Sequence, residues 1–272
     1  MIVLRCHRLK SLIGLEANFE FMSGADDIGP HVELDRDESG VYTITLNRPS
    51  RINAINLAMR DELWQIFLLL RDDPTAKCAI LRGAGIKGFS AGADISEFGS
   101  SPSLHESREA RLNRDLWGLM AELDIPLISV LHGFTYGAGL EMSLYCDLRV
   151  ASEESQFALP EVTLGYIPSA GGTQTISRHL KHSDAALMAI SGLPISAADA
   201  YLKGLVHQVV PKKKLDGVAI EWARQLAAYD SEVVRALKRT LREGFDLPLD
   251  AAVLAEKIQS GNIVARLSEI TS

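Results

Sequence analysis

The sequence predicts an α/β fold that passes into a helical C-terminal region, and three patterns carry that prediction. Short runs of β-branched and apolar residues end at glycines. Stripes of apolar residues at helical spacing follow them, and beyond residue 175 the strand signals almost vanish. Strands alternating with helices require helices packed on sheets, with function concentrated at the connecting turns.

Taken in order, VYTITLN (41–47) alternates like a half-buried strand and is stopped by Arg48-Pro49. The polar lead-in from Met22 to Gly40 carries no convincing strand. Ile55, Met59, Leu63, Ile66, Phe67 and Leu70 recur at helical spacing. CAIL (78–81) reads as a short buried strand ending at glycines, and Leu112, Leu116, Leu119, Met120 and Leu123 as a helical stripe before Pro126. PLISVLHG (126–133) and DLRVAS (147–152) are further strands, with a helix starting near Gly139 between them. Helical spacing then marks 182–191, 197–203, 215–229, 232–242 and 249–258, broken only by the strand LVHQVV (205–210) before Pro211. These limits divide the chain into an N-terminal extension (1–29), a core (30–190) and a helical region (191–272).

The 272 residues, 47% hydrophobic and 23% charged, are sufficient for one or two domains with a large core. A net charge of −7 argues against broad contact with a nucleic-acid backbone, and Lys212–Lys214 reads as a solvated turn. Cys6, Cys78 and Cys146 are too few and scattered for a disulfide framework or a zinc site, so a reducing compartment is expected. No run approaches the ~20 apolar residues of a membrane span. Residues 1–21 are basic at Arg5, Arg8 and Lys10, which faintly resembles a transit peptide, and folding is expected to begin near Met22. The expected location is cytoplasmic, or the mitochondrial matrix if that segment is a transit peptide.

Three stretches offer chemistry. GAGIKG (83–88) fits GxGxxG, but a dinucleotide loop needs a helix opening within the motif. FSAGADISEF follows instead, which disfavours an oxidoreductase. GFTYGAGLEMSLYCD (133–147) places Gly137, Ala138 and Gly139 before a helix with Glu141 in its first turn. Peptide N–H groups there lack internal partners and suit a developing oxyanion, although glycines that merely allow close packing explain the pattern equally well. In FALPEVTLGYIPSAGGT (157–173), Pro160 puts Glu161 at the head of a turn, which alone says surface turn. Two N–H turns and two carboxylates taken together can polarise a carbonyl and move a proton or water at the adjacent carbons.

LNRPSRINAIN (46–56), FSAGADISEF (89–98), GAGLEMSLYCD (137–147), FALPEVTLGYIPSAGGT and AADAYLKGLVHQVVP (197–211) resemble the crotonase superfamily, specifically the enoyl-CoA hydratases, from about residue 30 to 245. The resemblance implies a spiral of ββα units with a helical C-terminal trimerisation region, and a homotrimer or dimer of trimers. It puts an oxyanion hole at the N–H groups of Ala93 and Ala138 and the catalytic carboxylates at Glu141 and Glu161. The implied reaction adds water to an enoyl-CoA thioester, with Glu141 as base and Glu161 as acid, and needs no metal or redox cofactor. Coenzyme A is part of the substrate. Arg51, Lys87, Ala91, Ala93, Asp94, Ile95 and Gly137 are the implied substrate and CoA contacts, with Asp94 also expected to brace the oxyanion turn.

Relatives usually finish with a further helix whose aromatic and basic residues close on the adenine of a neighbour, whereas this sequence stops at VARLSEITS, so weaker closure is expected. The acyl floor is expected from Glu97–Asn113, Leu140, Leu164 and Ile167. An isomerase, or a dehydratase for a cyclic or branched acyl-CoA, is the alternative reaction. A non-catalytic scaffold fits poorly with both glutamates present and the acidic balance. His132, His207 and Cys146 read as packing residues, and Trp64, Trp117 and Trp222 as core or subunit contacts.

Overall fold

The chain alternates between two sheets, dropping from the larger into the smaller within a few residues and returning through a helix. The computed structural model describes residues 29–97 and 114–271. Most of the predicted acyl floor at Glu97–Asn113, and the N-terminal segment before Gly29, lie outside the described residues. Ten strands are described: β1 (Val32–Arg36), β2 (Val41–Leu46), β3 (Cys78–Gly83), β4 (Gly88–Ser90), β5 (Leu127–Leu131), β6 (Phe134–Tyr136), β7 (Leu148–Ser152), β8 (Gln156–Ala158), β9 (Ile195–Ser196) and β10 (Gln208–Val210). The large sheet has the order β1-β2-β3-β5-β7-β10, parallel except for β1 on β2; the small sheet runs β4-β6-β8-β9, with only β9 antiparallel. The pairs β3/β4, β5/β6 and β7/β8 are thus three successive turns of a spiral, the ββα architecture that the resemblance implies.

The helices are α1 (Leu57–Asp72), α2 (Leu116–Glu122), α3 (Ala138–Leu144), α4 (Glu161–Leu164), α5 (Gly172–His179), α6 (His182–Ser191), α7 (Ala197–Leu202), α8 (Lys212–Ala227), α9 (Ser231–Gly244) and α10 (Leu249–Thr271). Their starts follow local chemistry. The Asn56 side chain accepts the Met59 N–H at α1, Asp115 that of Gly118 at α2, and Asp230 those of Glu232 and Val233 at α9.

Parallel strands covered on both faces read as continuous apolar runs, and β3 and β5 show why. Cys78, Ile80, Ile128 and Val130 face a cluster that includes Leu215, Ala219, Ala223 and Ala227 of α8. Ala79, Leu81, Leu127 and Leu131 face the main core with Met59, Leu63, Phe67 and Leu70 of α1. Three alanines in the α8 stripe let that helix sit close to the sheet.

The structure differs from expectation in its shortest strands. β1 lies in the stretch read as a polar lead-in, because only its Val32 is buried and its pairing comes from β2. Strands β4, β6 and β8 are too short to carry a period of two. LVHQVV forms ladder bonds only at Gln208–Val210. GAGIKG joins strand β3 directly to strand β4 where a dinucleotide loop would open a helix, which removes the dinucleotide reading.

Candidate active site

The site is assembled on the segment RPSRINAIN, which has no chemistry of its own. Ile52 and Asn53 both adopt left-handed backbone, with φ of 52°. Asn53 is fully buried; its Nδ2 donates to the carbonyls of Ala84, Gly88 and Phe89, while its Oδ1 accepts the Arg48 N–H. Arg48, also buried, donates to Ala54 O and to Asp94 Oδ2 at 3.0 Å. These bonds pin the chain from Ala84 to Asp94 against the turn before α1.

Within that segment, Gly92 O accepts the Ile55 N–H and the Asp94 N–H donates to Ile55 O. Peptide groups alternate along an extended strand, so the Ala93 N–H faces away from Ile55. No acceptor takes it among the described residues. Ala138 is the first residue of α3, and its N–H likewise lacks a partner among them. Gly92 brings the two turns into contact. Its φ is 98°, and a Cβ there would lie 2.8 Å from Tyr136 O and 3.2 Å from Ala138 N. Only glycine fits that approach.

Both glutamates sit beside these turns. Glu141, 2% exposed, accepts the Gly172 N–H at 2.7 Å and the Ala170 N–H at 2.9 Å on the same oxygen, Oε1. Burial raises its pKa, and the Gly172 and Ala170 donors oppose that rise. Glu161, 3% exposed, opens α4 behind Pro160; its Oε1 lies 2.8 Å from where a Cβ on Gly137 would sit. Its Oε2 is buried without a hydrogen-bond partner among the described residues. Burial pushes its pKa up to about 7, with the Glu141 charge adding to the rise against one backbone N–H bond. One carboxylate is therefore held by two N–H groups, and its neighbour keeps its proton to higher pH. Such a pair can accept a proton at one oxygen and deliver one from another.

The CoA candidates fall on the rim. Lys87 is exposed and Arg51 half-buried, and Pro49 packs beneath Gly85, so the turns carrying these two cations lie side by side. Ala91 is exposed with its N–H bonded to Ile52 O, and Ile95 is exposed. Asp94 turns inward: Oδ1 accepts the Ser96 N–H and hydroxyl, and Oδ2 meets Arg48, so it braces the loop. Gly137 gives its N–H to Ala158 O and presents its Cα to Glu161.

Sequence reasoning missed four residues here. Arg48 reads in the sequence only as the stop of a strand, and nothing there singles out Asn53. Tyr145, one helical turn after Glu141, and Tyr166, just past α4, both have hydroxyl pKa values raised by burial and then by the neighbouring carboxylates. The i, i+4 spacing of Glu141 and Tyr145 was the available signal. His132 is buried and kept neutral by burial and then by Lys212, while His207 Nδ1 accepts the Arg149 N–H. No cluster of three or more His, Cys, Asp or Glu that suits a metal occurs among the described residues.

The sequence profile described as "Enoyl-CoA hydratase/isomerase" matches residues 36–266. The chain is 33% identical over 258 residues to the mitochondrial enoyl-CoA hydratase of Pongo abelii, covering 94% of this chain and 88% of that protein. It is 34% identical over 220 residues to 2,3-dehydroadipyl-CoA hydratase of Escherichia coli K12, covering 80% and 84%. Among solved structures, enoyl-CoA hydratase from Bacillus anthracis superposes with a TM-score of 0.82 at 33% identity, covering 89% of this chain and 95% of that one. The Mycobacterium smegmatis enoyl-CoA hydratase gives 0.81 at 30%, covering 86% and 90%. The spiral fold, the paired glutamates and these matches converge: the chain belongs to the enoyl-CoA hydratase/isomerase family.

Proposed function

We propose that the protein is an enoyl-CoA hydratase, a hydro-lyase that adds water reversibly across the 2,3-double bond of an enoyl-CoA thioester. The observation that carries this reading is the pair Glu141 and Glu161, both buried but differently hydrogen-bonded, beside two N–H groups that have no acceptor among the described residues.

The thioester oxygen is held by the Ala93 and Ala138 N–H groups, which stabilise the enolate as charge develops; one such donor is worth ~2.7–4 kcal/mol of barrier. Glu141, fixed as a carboxylate by Gly172 and Ala170, takes a proton from water as its oxygen bonds to Cβ. Glu161, protonated up to about pH 7, gives its proton to Cα. The two share protonation states, so the assignment describes the pair's dominant form. The carbonyl polarisation comes from peptide dipoles and the proton moves between carboxyl groups, so the proposed cycle calls for no metal or redox cofactor. Arg51 and Lys87 are assigned to the CoA phosphates, and the backbone of Ala91, Ala93 and Ile95 to its adenine.

We also assign a homotrimer, or dimer of trimers. Helix α9 grips the core with its basic face: Arg235 donates to Ala76 O, Lys238 to Ile125 O and Asp147, and Arg239 and Arg242 pair with Asp124. Its apolar face, Leu237 and Leu241 with Phe245 beyond the end, is left exposed beside Leu249, Leu254 and Ile258 of α10. Further copies of the chain would cover it. The location assigned is cytoplasmic, or the mitochondrial matrix if residues 1–21 serve as a transit peptide.

The test follows loss of the conjugated enoyl-thioester absorbance with crotonyl-CoA and with longer, branched and ring-bearing analogues. Turnover of the straight-chain substrate is expected. Double-bond migration without hydration would favour an isomerase, and inactivity of the folded protein on every thioester would remove the reading.

A further inference from the structure

Glu141 is held by a loop, and that loop is held by something else. Ala170 and Gly172, whose N–H groups both bond Glu141 Oε1, flank Gly171. The Tyr145 hydroxyl donates to Ala170 O at 3.1 Å. Gly171 has a φ of 93°, and its Cα faces the phenol so closely that an added Cβ would overlap the hydroxyl oxygen. Tyr145 stands four residues after Glu141, which puts both side chains on one face of the helix and its C-cap. Its ring stacks on Trp117 of α2, with centroids 6.1 Å apart and planes at 21°.

We propose that Tyr145 is a positioning residue for the reaction: its hydroxyl anchors the Ala170–Gly172 turn so that two N–H groups converge on Glu141. The phenol touches no reacting atom in this scheme. Burial, with the charges of Glu141 and Asp115, raises its own pKa, so it remains a donor across the working range. Glu161 and Tyr166 are the other titratable groups in the electrostatic surroundings of Glu141, from α4 and the turn after it. Loosening the turn weakens two bonds that favour the ionised form of Glu141, so its pKa rises.

Tyr145→Phe keeps the ring and its stack and removes only the donor. The kinetic part of the test rests on the hydratase reading; the titration part does not. Carboxyl-¹³C-labelled glutamate reports Glu141 by NMR, assigned through the signal lost in Glu141→Gln. The expected result is titration of Glu141 at higher pH in Tyr145→Phe than in wild type. With crotonyl-CoA, kcat should fall about fivefold to tenfold, the scale of one hydrogen bond, with KM unchanged and the acid limb of the profile moved up. Tyr145→Phe in the Glu141→Gln background should cause no further loss. An unchanged Glu141 titration, or a full additional loss in that double variant, overturns the proposal. If Tyr145→Phe does not fold, Tyr145→Met, a flexible apolar side chain of similar reach with no donor, takes its place in the titration with the same expected shift. A wild type that hydrates no thioester removes the hydratase reading, and the titration still decides the role of Tyr145.

Discussion

Replacing Glu161 by glutamine should make the protein more stable and much less active, and the two effects should follow different pH laws. Its pKa rises from the ordinary 4.5 to about 7 on folding, chiefly by burial. A raised carboxyl pKa means the folded state binds more protons than the unfolded state between those values, so stability falls as pH rises through that window. The full effect above pH 7 is about 3 kcal/mol at roughly 1.4 kcal/mol per pKa unit. Glutamine has nearly the same shape and does not titrate. Urea unfolding at one protein concentration should therefore show the variant gaining on wild type by about 3 kcal/mol between pH 4.5 and pH 8. Turnover of crotonyl-CoA should fall by about 10²-fold or more, as for a lost acid–base partner. The wild-type hydration rate should itself decline above about pH 7 as the acid ionises. A stability difference that stays flat with pH would refute the reasoning, because the burial that makes Glu161 a proton donor would then be absent.

Three further outcomes follow from the same geometry. Gly92→Ala should lose more activity than stability: left-handed strain costs ~1–2 kcal/mol, and the new Cβ meets Tyr136 O and Ala138 N, separating the two N–H turns; kcat and the unfolding midpoint measured together test this. Arg51→Ala and Lys87→Ala should raise KM for crotonyl-CoA and leave it unchanged for a crotonyl-pantetheine thioester, which lacks the nucleotide phosphates; equal effects on both would remove the phosphate assignment. Leu237→Glu combined with Leu241→Glu should reduce the mass seen by sedimentation to that of one chain, since both lie exposed on α9; an unchanged mass would place the interface elsewhere.

Long apolar segments and the two carboxylates of the candidate site are legible in the sequence by itself. CAIL, PLISVLHG and DLRVAS are buried on both faces, so their composition alone marks β3, β5 and β7. Glu161 by itself reads as a surface turn; it and Glu141 stand out only in combination with the two N–H turns, and the motif resemblance singles out the same two positions. The small sheet is not legible there. GFS, FTY and QFA are three residues each, and a three-residue strand exists only through the partner it pairs with.

What the tertiary structure alone decided is which way each group faces. Nothing in the sequence singles out Asn53, yet folding closes it over three carbonyls up to 36 positions away. Tyr145 and Gly171 meet across 26 positions of chain, and no local pattern records that contact. Helix α9 is the sharpest case: its amphipathic stripe is plain in the sequence, and the usual rule would bury Val233, Leu237 and Leu241. The fold instead spends the cations of α9 on Ala76 O, Ile125 O, Asp124 and Asp147 and leaves the apolar stripe outside. Periodicity determines that a helix has two faces; only the carbonyls and carboxylates offered by the surface beneath decide which one docks.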